Sequence, residues 1–201
     1  FSRVWPYAGS LVRSGDKFFE EDRICLADPG FFRMFTFPFL AGDPLTALAD
    51  KSSIVLTAST ARKYFGQADP IGQILVLDEY GSNFAVTGVI EDVPPNSHLQ
   101  FNLVARVELL GEDRLARWEE WTGPCYVLLR PGVAAGTFTD KISAIYKRHV
   151  GPEATYVPVL QSLTEIRLNE SGRAAGRQRV LFFSLIAAFI LIMACVNFMN
   201  L

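Results

Sequence analysis

Val180 to Leu201 contains no Asp, Glu, Lys or Arg, so all 19 basic and 21 acidic residues of this 201-residue chain lie ahead of it. That absence divides the chain into two materials. Other absences narrow the chemistry of the first. Neither GxxxxGK[ST] nor GxGxxG occurs, so neither common phosphate-cradling loop is built here and the chain is not an ATPase by itself. Cysteine is scarce: Cys25, Cys125 and Cys195 cannot all pair, Cys195 sits in the uncharged segment, and no CxxC or Cys/His cluster offers a metal site. An oxidising compartment would permit a Cys25–Cys125 disulfide, but no spacing compels it. His98 and His149 are far apart, lie in no metal-ligand spacing, and read as surface or capping residues. The basic stripe with interleaved aromatics that nucleic acid requires is missing as well. Arg167, Arg173, Arg177 and Arg179 against Glu170 give +3, which leaves −5 of the net −2 for residues 1–166. The chain starts at Phe1 with no signal-peptide pattern, and both ends read as cut from a longer protein.

What is present begins with the run Val180 to Val196, VLFFSLIAAFILIMACV, interrupted only by Ser184 and extended by Asn197 to Leu201. At ~1.5 Å per residue it reaches roughly 33 Å, enough to cross a hydrocarbon core of about 30 Å. A buried core helix would keep a polar stripe, and this run is apolar on every face. Asn197 and Asn200 share a face, either to bond a neighbouring helix or to mark the end of the span.

Ahead of it the pattern mixes strands and helices. Lys17 to Leu26 is strand-like in part. Asp28-Pro29 reads as a helix start before the aromatic segment Phe31 to Phe35, with Asp28 as the cap and Pro29 at the first helical position, and Asp43-Pro44 repeats the device. Ile54 to Leu56 predicts a strand, Thr57 a cap, and Ala58 to Phe65 a helix stopped by Gly66. Ile74 to Leu77 and Phe84 to Ile90 predict two strands joined by a turn over 78–83, and Asp92 to Ser97, with two prolines, predicts an irregular loop. Phe101 to Val107, Tyr126 to Arg130 and Tyr156 to Leu168 are further strand candidates. Thr137 and Asp140 resemble a capping box for a helix running to about His149, with Phe138, Ile142, Ile145 and Tyr146 on its apolar side. The expected fold is a mixed α+β domain over 1–168, a linker or stalk over 169–179, and a transmembrane helix over 180–201.

Glu91-Asp92 and Glu119-Glu120 are the raw material of acid–base chemistry, but adjacent carboxylates point apart and read as solvated. Trp118 and Trp121, and the aromatics Phe31, Phe32, Phe35, Phe37 and Phe39, read as packing residues. No catalytic, cofactor-binding or metal-ligating residue is therefore assigned.

Specific strings carry a resemblance. The segment Asp28 to Pro44 (DPGFFRMFTFPFLAGDP) is similar to the MacB-like periplasmic domain of FtsX-type ABC transporter permeases, in particular the large Bacteroidetes group. So are Ile54 to Gly72, Val86 to His98 (VTGVIEDVPPNSH), Leu163 to Leu168 (LTEIRL) and Ile186 to Leu201, in the same order; Arg167 stands where that family commonly has His. The resemblance implies a permease in the cell inner membrane with its globular part periplasmic, an earlier membrane helix before Phe1 and more after Leu201. It further implies a homodimer or pseudo-dimer working with a separate cytoplasmic ATPase subunit, in contact with the lipid bilayer and not with nucleic acid, and needing no cofactor. It puts Arg173, Arg177 and Arg179 outside, against the positive-inside tendency, which compares two flanks of which this chain has one. The leading expectation is a non-enzymatic transport component coupling ATP hydrolysis on its partner to transport or release of an amphiphilic substrate. The alternatives are the extracytoplasmic sensor domain of a signalling receptor and a membrane-anchored hydrolase. Residues 171–179 are either a stiff stalk, given Arg173 to Arg179, or a loose tether, given Gly172 and Gly176.

Overall fold

Side chains alternate between the two faces of a strand, and here alternate positions of the central strands feed two separate apolar layers. The structure, a computed structural model, describes residues 1–7, 9–78, 81–118, 123–151, 157–166 and 175–199. Its contacts divide into two units, Phe1–Thr155 and Tyr156–Leu201.

The first unit contains strands β1 Ser2–Tyr7, β2 Ser10–Ser14, β3 Lys17–Glu21, β4 Ile24–Ala27, β5 Phe39–Gly42, β6 Ser53–Thr57, β7 Ile74–Leu77, β8 Ser82–Ile90, β9 Leu103–Arg106 and β10 Cys125–Tyr126. They form one mixed sheet in the order β10-β1-β4-β9-β6-β8-β7-β2-β3, with β5 also pairing β8. The β4–β9 and β6–β8 pairs are parallel and the rest antiparallel. Beside β8, β7 takes its first half and β5 its last residues. Helices α1 Phe31–Met34, α2 Ala58–Phe65, α3 Glu112–Leu115 and α4 Ala135–Val150 complete the unit.

Ile24 and Leu26, Ile54 and Leu56, Leu103 and Ala105, Leu75 and Leu77, and Phe84 and Val86 pack into one layer with Ala61 and Tyr64 of α2. Their neighbours Cys25, Ala27, Val55, Val104 and Ile90 form the opposite layer with Phe31, Phe32, Leu48 and Phe101. The α1 aromatics are core, as their sequence suggests: Phe31 sits 5.0 Å from Phe32 and 6.0 Å from Phe101 between ring centroids. Gly42, at φ +85°, is required by proximity, since a Cβ there would strike the Thr87 carbonyl oxygen.

The predicted unit of strand, cap and helix over residues 54–65 is present with its stop at Gly66, whose N–H bonds the Arg62 carbonyl at 2.9 Å. Several expectations are corrected. Asp28 does not cap α1 with its side chain; Gly30 is the N-cap and the Asp28 carboxylate is taken by Arg3. Its carbonyl still receives the Phe31 N–H at 3.0 Å. Asp43 accepts the Leu45 N–H at 2.9 Å, but Leu45 to Ala49 form turns and not the second helix expected there. Tyr126 to Arg130 is a strand only at Cys125–Tyr126, where β1 offers a partner; the apolar residues beyond find none, and Leu128 is exposed. Helix α4 starts at Ala135 after the uncapped Ala134, so Thr137 and Asp140 lie inside it and form no capping box. The described part of Tyr156 to Leu168 is no strand: Pro158 lacks a ladder donor, and Leu163–Glu165 form a 3-10 turn.

In the second unit α5, Ala175–Met199, is one continuous helix. Its stretch Val180–Met199 has a mean hydropathy of 2.6 and none of it is buried within the protein, so it is long and apolar enough to cross a membrane. The helix begins ahead of that stretch, at residues 175–179.

Candidate functional site

Charge enters this domain at three places, each on a strand end or a loop that the sheet holds rigidly. At the end of β3, Glu21 is 1% exposed. Its Oε1 accepts from Lys63 Nζ at 2.5 Å and from Tyr64 Oη at 3.0 Å, and its Oε2 accepts from Asn102 Nδ2 at 3.0 Å. The Lys63 ammonium also lies 4.5 Å from the centre of the Phe19 ring. Residues 63 and 64 are adjacent on α2, so one helix turn delivers both donors and ties α2 to the β2–β3 hairpin. Burial, then the nearby Glu21 carboxylate, pushes the Tyr64 phenol well above its ordinary value.

Arg3 of β1 grips Asp28, just past the end of β4: Nη2 donates to Oδ1 at 2.7 Å and the Arg3 backbone N–H donates to Oδ2, also at 2.7 Å. At the end of β9, Arg106 pairs with Glu108 through both carboxylate oxygens and donates Nη1 to the Leu48 and Ala49 carbonyls at 2.8 and 2.9 Å. The hydrogen bond from Arg106 holds the Glu108 carboxyl below its ordinary range despite partial burial.

Of the residues considered from sequence, Asp92 has a role. Its Oδ1 accepts the Ser59 N–H at 2.8 Å, so the loop carboxylate caps α2 where Thr57, the residue at the cap position, gives no side-chain bond to the backbone. Thr57 Oγ1 instead meets Thr60 Oγ1 at 2.9 Å. Burial would raise the Asp92 carboxyl, but the Ser59 donors and Arg62 outweigh it and hold it below the ordinary range. Glu91 is exposed, and Glu119, Glu120 and Trp121 lie outside the described residues. His98 is exposed near Phe35 and Tyr126, at ring distances of 6.4 and 5.7 Å. His149 stacks on Trp118 at 4.1 Å, and its Nδ1 lies 2.9 Å from the Ile145 carbonyl.

Cys25 and Cys125 are free thiols, one buried and one exposed. Strand β1 lies between them, with Pro6 opposite Cys25 and Arg3 opposite Cys125. Two strand spacings put the Cα atoms at least roughly 9 Å apart, beyond the ~7 Å a disulfide spans. Burial pushes the Cys25 thiol up to about 12, which makes it a packing residue. Among the described residues no three His, Cys, Asp or Glu side chains converge to hold a metal ion. One open apolar hollow of about 270 Å³ lies between α2 and β5, lined by Leu40, Ala58, Ala61, Pro70 and Val89 with Arg62 at its rim.

Sequence reading missed Arg3, Glu21 and Arg106. One signal was available, the Arg-x-Glu spacing of 106 and 108, although Glu108 meets Arg106 from a 3-10 turn, Val107–Leu110, and not along an extended strand.

The first unit is a mixed sheet packed on both faces and fastened by ion pairs, and the second carries a helix long and apolar enough to cross a membrane. The MacB-like periplasmic core domain family matches residues 1–145, and the chain belongs to that family, the extracytoplasmic domain of ABC transporter permeases. Among solved structures, a domain of a putative permease protein from Porphyromonas gingivalis is 27% identical, with a TM-score of 0.63 over 82% of this chain and 80% of that one. The periplasmic region of MacB from Actinobacillus actinomycetemcomitans is 14% identical (TM-score 0.51, 74% of this chain and 65% of that one). The extracellular domain of the noncanonic ABC-type transporter YknZ from Gram-positive bacteria is 15% identical (TM-score 0.51, 76% and 78%). These last two likenesses show the fold alone. No curated protein matches the chain. The globular domain thus lies outside the cytoplasmic membrane.

Proposed function

We propose that this chain is the non-enzymatic, force-transmitting part of a dimeric permease, coupling ATP hydrolysis by a separate cytoplasmic ATPase to the transport or release of an amphiphilic substrate. The observation that carries the reading is continuity. A family domain occupies residues 1–145, and the apolar span that follows is not a separate helix but the continuation of one that starts at Ala175. A helix that runs unbroken from a polar stretch into an apolar one passes rotation or axial displacement on, which a flexible tether would dissipate. Gly176 weakens it by only about 1 kcal/mol relative to Ala. The ion pairs at Glu21, Asp28 and Arg106 suit such a role, since they tie neighbouring elements of the sheet together.

The test inserts three or four glycines after Arg177 in the full-length permease reconstituted with its ATPase, and follows ATP hydrolysis and substrate export separately. Hydrolysis is expected to continue while export falls. Unchanged export would reduce residues 175–179 to a tether, and export that persists with a hydrolysis-deficient ATPase would overturn the coupling itself.

A further inference from the structure

We draw no further inference here: the strongest candidate, the open apolar hollow between α2 and β5 lined by Leu40, Ala58, Ala61, Pro70 and Val89, has nothing in the structure to show what covers it, since the Arg62 guanidinium at its rim already faces the Asp92 carboxylate at 4.0 Å and so selects no charged occupant.

Discussion

Replacing Lys63 by Met removes one charge and almost no volume, which isolates the ion pair to Glu21 from the packing around it. The Glu21 side chain is 2% exposed and the Lys63 side chain 36%. Breaking a buried pair by deleting one partner costs about 3–5 kcal/mol, because the remaining charge is stranded. Here the carboxylate keeps two neutral donors, Tyr64 Oη and Asn102 Nδ2, each at 3.0 Å. Together they recover part of that cost, which brings it to the bottom of that range or just below, about 2–3 kcal/mol. For a domain of this size each kcal/mol is worth about 2–4 °C, which gives a fall of about 5–10 °C in Tm. Glu21→Gln is expected to do less harm, about 1–2 kcal/mol, because Lys63 can turn its ammonium to water and the new amide still bonds Tyr64 and Asn102. Thermal unfolding of the chain in detergent, followed by near-ultraviolet circular dichroism, measures both. A Tm change under about 2 °C for Lys63→Met, or a larger loss for Glu21→Gln than for Lys63→Met, would show that the carboxylate is hydrated and the burial argument wrong.

Asp92→Ala removes the cap of α2 and is expected to cost about 0.5–2 kcal/mol, while Asp92→Asn keeps an acceptor for the Ser59 N–H and is expected to fold and function normally. Because the folded-state carboxyl titrates below its ordinary value, its ionised form stabilises the fold above about pH 4 and that contribution is lost as the pH falls through the folded value. The stability difference between wild type and Asp92→Asn should therefore be constant above about pH 5 and shrink on acidification; a difference that grows on acidification would reverse the sign of the argument. Gly42→Ala forces a Cβ against the Thr87 carbonyl oxygen at a positive φ and is expected to lower stability by more than the ~1 kcal/mol of an ordinary incompatible site, measured by urea unfolding. Wild-type stability in that variant would mean that β5 does not approach β8 as closely as described.

Most of the fold was legible where one local signal sufficed. Ala58 to Phe65 is bounded by a strand on one side and Gly66 on the other, and the helix runs over those residues; Ile74 to Leu77 and Ile54 to Leu56 are likewise strands. The first strands were not legible, because Ser2–Tyr7 carries Pro6 and Trp5 in place of a clean alternation and is recruited by β4 through long-range pairing. Tyr126 to Arg130 and Tyr156 to Leu168 failed for the opposite reason. Their residues favour strands, but a strand exists only where a partner offers its edge, and among the described residues none does so beyond Tyr126.

The charged clusters show a different limit. Asp28 looked like a helix cap because the sequence places it before Pro29, and a cap needs only neighbours in sequence. Its partner instead comes from β1, which lies alongside β4 in the sheet, so Arg3 reaches it across 25 positions of chain. Glu21 collects its donors from positions 63, 64 and 102 in the same way. Such a carboxylate is indistinguishable in sequence from the solvated Glu20 beside it, since strand parity says only that the two face opposite sides. Which side is buried is decided by where α2 docks. The buried fastener at Glu21 and the solvated carboxylate at Glu20 thus come from one property of β3, the alternation of its residues.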